Sequence, residues 1–338
     1  MLCRPVRTAR ALGSLARLSQ TRSISSNAVI FSGIQPTGIP HLGNYLGALR
    51  QWVKLQNEAA SGAKLLYSIV DLHAITMPQN AQQLRQWKRE SLASLVAVGL
   101  DPEKSILFYQ SSSKLSLSQD SSFLDEKAKS SLKLGLFSYP VLQAADVATH
   151  VPVGDDQRQH LEFARECATN FNHTYGGALV APETILSPAR RVMSLQQPTQ
   201  KMSKSHADPR SRIVLTDTPE EIRKKVMSAL TDSTNSVSYD PEARPGVSNL
   251  LEVISIFDEA GRSPQEIAQE LGGANLRALK EKAADAINGG LSNIRERYLE
   301  MLAKDDGKYI DHVAEQGARK ARANAEETME GVRAAVGL

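Results

Sequence analysis

Short apolar runs alternate with amphipathic stretches through the first part of the chain. Each apolar run ends at a Gly, Asp or Gln, and such short runs predict buried strands. The stretches between them place apolar residues three and four positions apart, which predicts helices that cover the strands. The predicted strands lie at 29–32, 64–70, 105–109 and 151–153, and the predicted helices at 42–58, 81–98, 125–147 and 157–170. This order is typical of an α/β fold with a parallel sheet covered on both faces.

The pattern changes near residue 219, after which no strand-like run is evident. Segments rich in Ala, Glu, Lys and Arg follow, and they are interrupted at Gly261, Gly272-Gly273 and Gly289-Gly290. Since Gly often terminates helices, these positions predict breaks between separate helices. The predicted helices lie at 219–230, 248–258, 264–271, 274–288, 291–304 and 307–335. The pattern therefore predicts an α/β domain followed by a helical domain.

Composition excludes several classes of protein. Hydrophobic residues make up 41% of the 338 positions, enough for a buried core and about two domains of ordinary size. No apolar run approaches the roughly 18 residues that a membrane-spanning helix needs. Cys3 and Cys167 cannot build a disulfide framework, and no Cys/His group has zinc-ligand spacing. The net charge is only +3, so any contact with RNA must come from a local patch.

The N-terminal segment differs in composition from the rest of the chain. Residues 1–26 contain five arginines, and no Asp or Glu precedes Glu58. An Arg-rich, Ser-rich, acid-free start with leucines at helical spacing is typical of an organelle transit peptide. A secretory signal would instead need a continuous apolar core. We predict that residues 1–28 direct the chain to the mitochondrial matrix, with a disordered basic tail as the alternative.

Two polar segments carry the candidate chemistry. His41-Leu42-Gly43-Asn44 opens the helix after the first strand, beyond the strand's carboxyl end, and offers an anion the N–H groups of a helix N-terminus. Lys201-Met202-Ser203-Lys204-Ser205 is a cationic loop suited to a phosphate chain whose charge grows during bond breaking. Taken alone, each is also compatible with a solvated cap or a basic turn. The absence of a Walker A sequence and of Gly-x-Gly-x-x-Gly disfavours P-loop and dinucleotide-binding proteins.

Together, the two segments resemble the signature pair of the class I aminoacyl-tRNA synthetases. Other segments are similar to those of the tryptophanyl-tRNA synthetases within that family. They begin at Phe31 (FSGIQPTG), Val70 (VDLHAIT), Tyr139 (YPVLQAAD), Val151 (VPVGDDQ) and Tyr239 (YDPEARPGVSNLL). The resemblance extends from about residue 29 to the C-terminus.

The resemblance implies an architecture, a reaction and partners. A Rossmann-type parallel-sheet catalytic domain would span 29–210, an all-helical anticodon-binding domain 211–305, and a helix over 306–338 would pack back toward the catalytic domain. The reaction would join tryptophan to ATP as tryptophanyl-adenylate, release pyrophosphate and transfer the amino acid to tRNA(Trp). The implied partners are L-tryptophan, ATP carrying Mg²⁺ as its substrate complex, tRNA(Trp) and a second copy in a homodimer. No membrane partner and no protein-bound metal are implied.

Site residues follow from the resemblance, position by position. The catalytic residues would be His41, Asn44, Lys201 and Lys204, with the two lysines closing on pyrophosphate as it leaves. ATP would also be held by Gln35, Leu42, Gly43, Gly154, Asp155, Asp156, Val192, Met202, Ser203 and Ser205. Tryptophan would be bound by Phe31, His73, Tyr139, Gln143, Asp146, Val151, Val153 and Gln157. Asp146 would accept the indole N–H, and a buried acceptor of this kind rejects phenylalanine because it would be left unpaired.

The chain departs from the family pattern in two places. A long segment that the family carries after the third strand is absent near 111–114, and a smaller gap follows Asp146, near 147–149. Both gaps lie close to the expected tryptophan slot. A second hypothesis is therefore a catalytically impaired, synthetase-like protein that binds RNA or acts as a scaffold, and a third is a tyrosine-specific relative. A further candidate, a metal site at His150, Asp155, Asp156 and His160, fits no common zinc spacing.

Overall fold

A five-stranded parallel sheet forms the centre of the N-terminal half. The computed structural model describes residues 28–75, 80–113, 149–153, 158–177, 179–186, 191–204 and 206–338. The helix predicted at 125–147 and the leader up to residue 27 lie outside these residues. The strands are β1 (Val29–Ile34), β2 (Lys64–Ile69), β3 (Ile106–Tyr109), β4 (His150–Val153) and β5 (Glu183–Leu186).

The strand order is β3-β2-β1-β4-β5, and all neighbouring pairs run parallel. Ile30 pairs with Leu65 on one side and with His150 on the other. This order reverses direction at β1, as in doubly wound Rossmann-type folds, whose ligands bind beyond the carboxyl ends of the strands. The predicted Rossmann-type fold is confirmed. The sequence pattern did not predict β5, a four-residue strand at the edge of the sheet.

The helices account for most of the remaining described chain. They are α1 (Leu42–Asn44), α2 (Arg50–Glu58), α3 (Asp71–Ala74), α4 (Ala81–Ala97), α5 (Arg158–Tyr175), α6 (Pro219–Met227), α7 (Pro245–Phe257), α8 (Pro264–Glu270), α9 (Leu276–Ala303) and α10 (Lys308–Val336). A π-helical turn, Tyr45–Leu49, joins α1 to α2. The predicted helix at 42–58 is therefore one continuous helical segment with a wider turn inside it.

One predicted break is absent, since α9 continues through Gly289-Gly290. A methyl group on Gly290 would lie 2.2 Å from the Phe257 ring, at the end of α7. The glycine therefore allows two helices to approach closely and does not terminate the helix. The pattern that predicts a break does not distinguish these two uses of glycine.

The larger of two hydrophobic clusters extends from the sheet into the helical half. Buried residues of the strands, such as Ile30 and Tyr67, belong to the same cluster as Leu250 of α7 and Leu279 of α9. The Tyr67 ring stacks on Trp52 of α2 at a centroid distance of 4.8 Å, and its hydroxyl donates to the Trp52 carbonyl oxygen. Because the core is continuous, the helical half supports the sheet edge where ligands are expected.

The last helix, α10, lies directly on the sheet. A methyl group on Gly317 would be 1.8 Å from the Leu107 carbonyl oxygen, so the helix backbone touches β3. Ala318 and Ala321 pack with Phe31 and Phe108 in a second buried cluster. Small residues on this face let the helix approach the sheet closely. Among the described residues, no helix has the length and apolarity needed to cross a bilayer.

We predict that Gly317→Ala lowers the free energy of unfolding by about 1–3 kcal/mol, because a filled contact cannot accept an added methyl group. In a helix interior the same change would otherwise stabilise the protein by roughly 0.5–1 kcal/mol. Urea denaturation followed by circular dichroism measures the difference.

Gly289→Ala is the matched control. Gly289 also lies inside a long helix, but its added methyl group meets no atom within 4 Å. We expect this variant to be as stable as the wild type or more stable by about 0.5–1 kcal/mol. A Gly317→Ala variant that gains as much stability would contradict the close contact between α10 and β3.

Candidate active site

The loop after β1 is held close to its neighbours. A methyl group on Gly33 would lie 2.6 Å from a Val70 side-chain carbon, so the ends of β1 and β2 are in direct contact. Gly38 has a φ of +91°, and a methyl group there would lie 3.3 Å from the Trp87 Nε1 of α4. The loop that contains Gln35 therefore passes beside Trp87 of α4 and leads to His41.

His41 caps the helix that follows. Its Nδ1 accepts the backbone N–H of Asn44 at 3.2 Å, while the Asn44 Oδ1 accepts the His41 backbone N–H at 3.1 Å. This reciprocal pair satisfies two of the donors that a helix start leaves open. The Leu42 N–H donates to the Ile213 carbonyl oxygen at 2.8 Å, and the Leu215 N–H to that of Pro40 at 3.0 Å. The first motif is thus fixed to the chain that follows the second.

The second motif lies on a short antiparallel pairing. The Met202 N–H donates to the Val192 carbonyl oxygen at 3.0 Å, and the Met202 side chain is buried. The Asn249 side chain of α7 makes two hydrogen bonds to the backbone of Met193. It accepts the Met193 N–H at 3.0 Å and donates to the Met193 carbonyl oxygen at 3.2 Å. Asn249 is itself buried. The helical half therefore positions the segment that precedes the cationic loop.

The two motifs meet in space although they are far apart in sequence. The Lys204 Nζ donates to the Gly38 carbonyl oxygen at 2.6 Å. A methyl group on Gly43 would lie 3.6 Å from the Met202 Cβ and 3.0 Å from the His41 ring. The structure thus brings together the predicted residues His41, Leu42, Gly43, Asn44, Val192, Lys201, Met202, Ser203 and Lys204.

Positive charge accumulates around a buried imidazole. Burial, followed by the charges of Lys204, Lys201 and Arg212, lowers the pKa of His41 to about 4. His41 is therefore neutral at pH 7. Because its Nδ1 accepts a hydrogen bond, the ring proton is assigned to Nε2, which becomes a donor. Burial and then Arg212 lower the pKa of Lys204 to about 8, with Glu90 acting in the opposite direction. Crowded donors and cations of this kind suit a polyanion.

Arg212 is a member of this cluster that the sequence analysis missed. Ser211, Ile213 and Leu215 are buried, and Arg212 alternates with them in an extended stretch. Its Nη1 donates to the His206 carbonyl oxygen at 2.9 Å, just after the cationic loop. Burial alternates from 211 to 217, but the sequence there (SRIVLTD) has three adjacent apolar residues, so no local pattern indicated this role for Arg212.

The residues predicted to bind tryptophan are described only in part. Phe31 and Val151 belong to one buried cluster on adjacent strands, and the backbone of Val153 ends β4. His73 follows β2, with its Nδ1 3.1 Å from the Gln110 Oε1. The other predicted residues that fall outside the described residues are Tyr139, Gln143, Asp146, Gly154, Asp155, Asp156, Gln157 and Ser205.

Of the considered metal site, only the His150 side chain is described. His150 has its Nδ1 2.7 Å from the Thr149 Oγ1 and its Nε2 3.8 Å from a Glu183 carboxylate oxygen. Within the part of the chain that the structure describes, no three His, Cys, Asp or Glu side chains are grouped to hold a metal ion.

Comparison with known proteins shows the family to which the chain belongs. The sequence matches the family of class I tRNA synthetases for tryptophan and tyrosine at residues 24–123 and 116–292. The two matched stretches overlap at residues 116–123, shortly after the gap predicted near 111–114. The mitochondrial tryptophan–tRNA ligase of Schizosaccharomyces pombe is 39% identical over 362 aligned residues, covering 96% of this chain and 99% of that protein. That alignment has 362 positions and this chain has 338 residues, so the alignment places gaps in this chain.

Solved structures show the same relationship. The tryptophanyl-tRNA synthetase of Mycoplasma pneumoniae is 30% identical with a TM-score of 0.75, covering 92% of this chain and 98% of that chain. The Campylobacter jejuni enzyme, solved with ADP and tryptophan, is 30% identical with a TM-score of 0.71, covering 92% of this chain and 100% of that chain. This chain therefore belongs to the class I aminoacyl-tRNA synthetases and, within them, to the tryptophanyl-tRNA synthetases.

Proposed function

We propose that this chain activates L-tryptophan with ATP and transfers it to tRNA(Trp) in the mitochondrial matrix. The observation that carries the proposal is the meeting of the two motifs, in which Lys204 bonds the Gly38 carbonyl oxygen beside the helix start that His41 caps. The mitochondrial part of the proposal is supported by the composition of the leader and by the mitochondrial relative from Schizosaccharomyces pombe.

Adenylate formation needs alignment and charge stabilisation, not a general base. A tryptophan carboxylate oxygen attacks the α-phosphorus of ATP, and the bond from that phosphorus to the bridging oxygen of the β-phosphate breaks, so that pyrophosphate leaves. The carboxylate is already ionised at neutral pH. Lys201, Lys204 and the Nε2–H of neutral His41 stabilise the charge that spreads over the phosphates. Mg²⁺ enters with ATP as its substrate complex, since this ion binds mainly through phosphate oxygens and water.

The remaining roles extend from this centre. Phe31, Val151 and Val153 supply apolar contact to the indole, and Asp146 accepts the indole N–H. His73, Tyr139 and Gln157 hold the polar groups of the amino acid. Gln35, Gly154, Asp155, Asp156 and Val192 hold the nucleoside part of ATP. The helical half binds tRNA(Trp), whose terminal ribose hydroxyl attacks the tryptophanyl carbonyl carbon and releases AMP, and the chain works as a homodimer.

Tryptophan-dependent exchange of pyrophosphate into ATP tests the proposal directly. The full chain is incubated with ATP, labelled pyrophosphate and either tryptophan or tyrosine. Exchange with tryptophan alone supports the proposal, and exchange with tyrosine alone would assign the tyrosine-specific activity. A folded protein that catalyses neither exchange and still binds tRNA would favour the second hypothesis, a non-catalytic RNA-binding protein, which the gaps near 111–114 and 147–149 motivate.

We predict that Lys204→Ala slows exchange by about tenfold or more, because its ammonium acts mainly on the charge of the transition state. Tryptophan affinity, measured by calorimetry, is expected to stay within about twofold of the wild type. Lys104→Ala, which removes an exposed lysine remote from the site, is the control. A weaker affinity with an unchanged rate would contradict this role for Lys204.

The pKa of Lys204 predicts an alkaline limit to activity. Below about pH 8 the ammonium is charged, and above it the charge is lost, so kcat/KM for ATP is expected to fall as the pH rises through about 8. Lys204→Arg is expected to be slower but to lack this fall, because the guanidinium stays protonated. A wild-type profile that remains flat up to about pH 9.5 would exclude Lys204 as the titrating group.

We predict that Arg212→Ala raises KM for ATP by about fivefold or more, because a third cation is removed from the phosphate site. KM for tryptophan is expected to change less. Arg210→Ala is a matched control two residues away, since the Arg210 guanidinium pairs with Asp208 at 2.8 Å. An equal rise in both KM values, with a lower melting temperature, would indicate a structural role for Arg212.

A further inference from the structure

A buried carboxylate lies beside the proposed tryptophan site and has no role in the mechanism above. Asp71 is the first residue of α3, two positions after the end of β2, and is only 3% exposed. A carboxylate this deeply buried is costly unless charged or polar groups satisfy it. Its partners therefore indicate what it stabilises.

Three groups surround the Asp71 carboxylate. The Lys88 Nζ of α4 lies 2.5 Å from its Oδ2. The Ser111 hydroxyl donates to the same oxygen at 2.5 Å, and the Ser111 backbone N–H donates to Oδ1 at 2.9 Å. Lys88 also donates to the Ser111 hydroxyl oxygen at 3.1 Å. One carboxylate thus joins the end of β2, the helix α4 and the chain that leaves β3.

Lys88 is itself held in place. Its Nζ lies 4.5 Å from the centre of the Tyr109 ring, and Tyr109 is the last residue of β3. A cation over an aromatic face is attracted by the ring quadrupole. The ammonium therefore contacts the carboxylate, the serine and the ring together, and these contacts fix its position.

The same short segment carries His73. Helix α3 has only four residues, Asp71–Ala74, so its own backbone hydrogen bonds are too few to hold its geometry. Its geometry must be imposed by contacts outside the helix. At one end Asp71 is bonded to Ser111, and two residues later the His73 ring lies 3.1 Å from the Gln110 side chain. Gln110 and Ser111 are adjacent, so both contacts are made to one piece of chain.

We infer that Asp71 is a positioning residue for tryptophan binding, holding α3 against Gln110–Ser111 so that the His73 ring faces the amino acid. This inference rests on the proposed function, in which His73 binds tryptophan. Asp71 acts through His73 and does not itself touch the substrate. The inference also implies that the chain up to residue 113 keeps its geometry beside the gap predicted near 111–114.

The test combines Asp71→Asn, His73→Ala and the double variant in the full chain. Asp71→Asn keeps the size of the side chain and removes the charge that Lys88 and Ser111 share. We expect it to raise Kd and KM for tryptophan about fivefold or more and to change KM for ATP by less than about twofold. Because Asp71 acts through His73, the double variant is expected to bind tryptophan no more weakly than His73→Ala alone.

Asp311→Asn is the matched control. The Asp311 carboxylate, on α10, lies 3.1 Å from the guanidinium of Arg89, which is next to Lys88 on α4. Both side chains of this pair are exposed. We expect this variant to leave both KM values unchanged. The His73 imidazole resonances, recorded by NMR in the free protein, are expected to shift in Asp71→Asn and not in Asp311→Asn.

The outcomes separate this inference from the proposed function. If the losses of tryptophan affinity in Asp71→Asn and His73→Ala add in the double variant, the inference is overturned. It is also overturned if Asp71→Asn weakens tryptophan and ATP binding equally and lowers the melting temperature. Unchanged tryptophan binding in Asp71→Asn would also overturn it. A wild-type chain that neither binds tryptophan nor catalyses exchange would instead refute the proposed function, while the NMR comparison would still test whether Asp71 orients His73.

Discussion

Positive charge concentrated beside a helix start is the constraint on which the rest of the structure depends. Lys201, Lys204 and Arg212 act on one buried imidazole, and their mutual repulsion must be outweighed by packing elsewhere. A neutral His41 makes this arrangement tolerable, because a fourth cation in the same volume would add further repulsion. In the proposed function the phosphates of ATP enter this site, so that attraction to the phosphates replaces the repulsion and grows as pyrophosphate separates.

The scaffold keeps these groups together through contacts between distant parts of the chain. Backbone bonds fix the start of α1 to residues 213–215, and Asn249 of α7 brackets Met193, next to the cationic loop. The continuous core joins the helical half to the sheet, so a change in one half is felt in the other. Helix α10 adds support to β3, which Gly317 touches at Leu107. The proposed active site therefore depends on the helical half as well as on the sheet.

The residues of the proposed phosphate site lie outside the region from 111 to 149, where gaps relative to the family were predicted. The groups that meet at His41 and Lys204 come from residues on either side of that region. Immediately before that region in the chain, the contacts of Asp71 join the end of β2, helix α4 and the residues after β3. In the proposed function, charge stabilisation and amino acid recognition thus depend on different parts of the sheet edge, and the predicted gaps lie near the second.

The sequence alone determined the alternation of strands and helices, the parallel sheet and the two motifs, because period, turn residues and order are local properties. It also indicated the family, since several long motifs occur in the same order. It predicted a false break at Gly289-Gly290 and missed β5, because a glycine in close packing resembles a terminator and a short edge strand has a weak pattern. Only the tertiary structure decided that Lys204 reaches Gly38, that Arg212 joins the cluster and that Asp71 is satisfied by Lys88 and Ser111. Those contacts bring together groups that are far apart in the chain, and packing and burial, which no local pattern encodes, decide which of them meet.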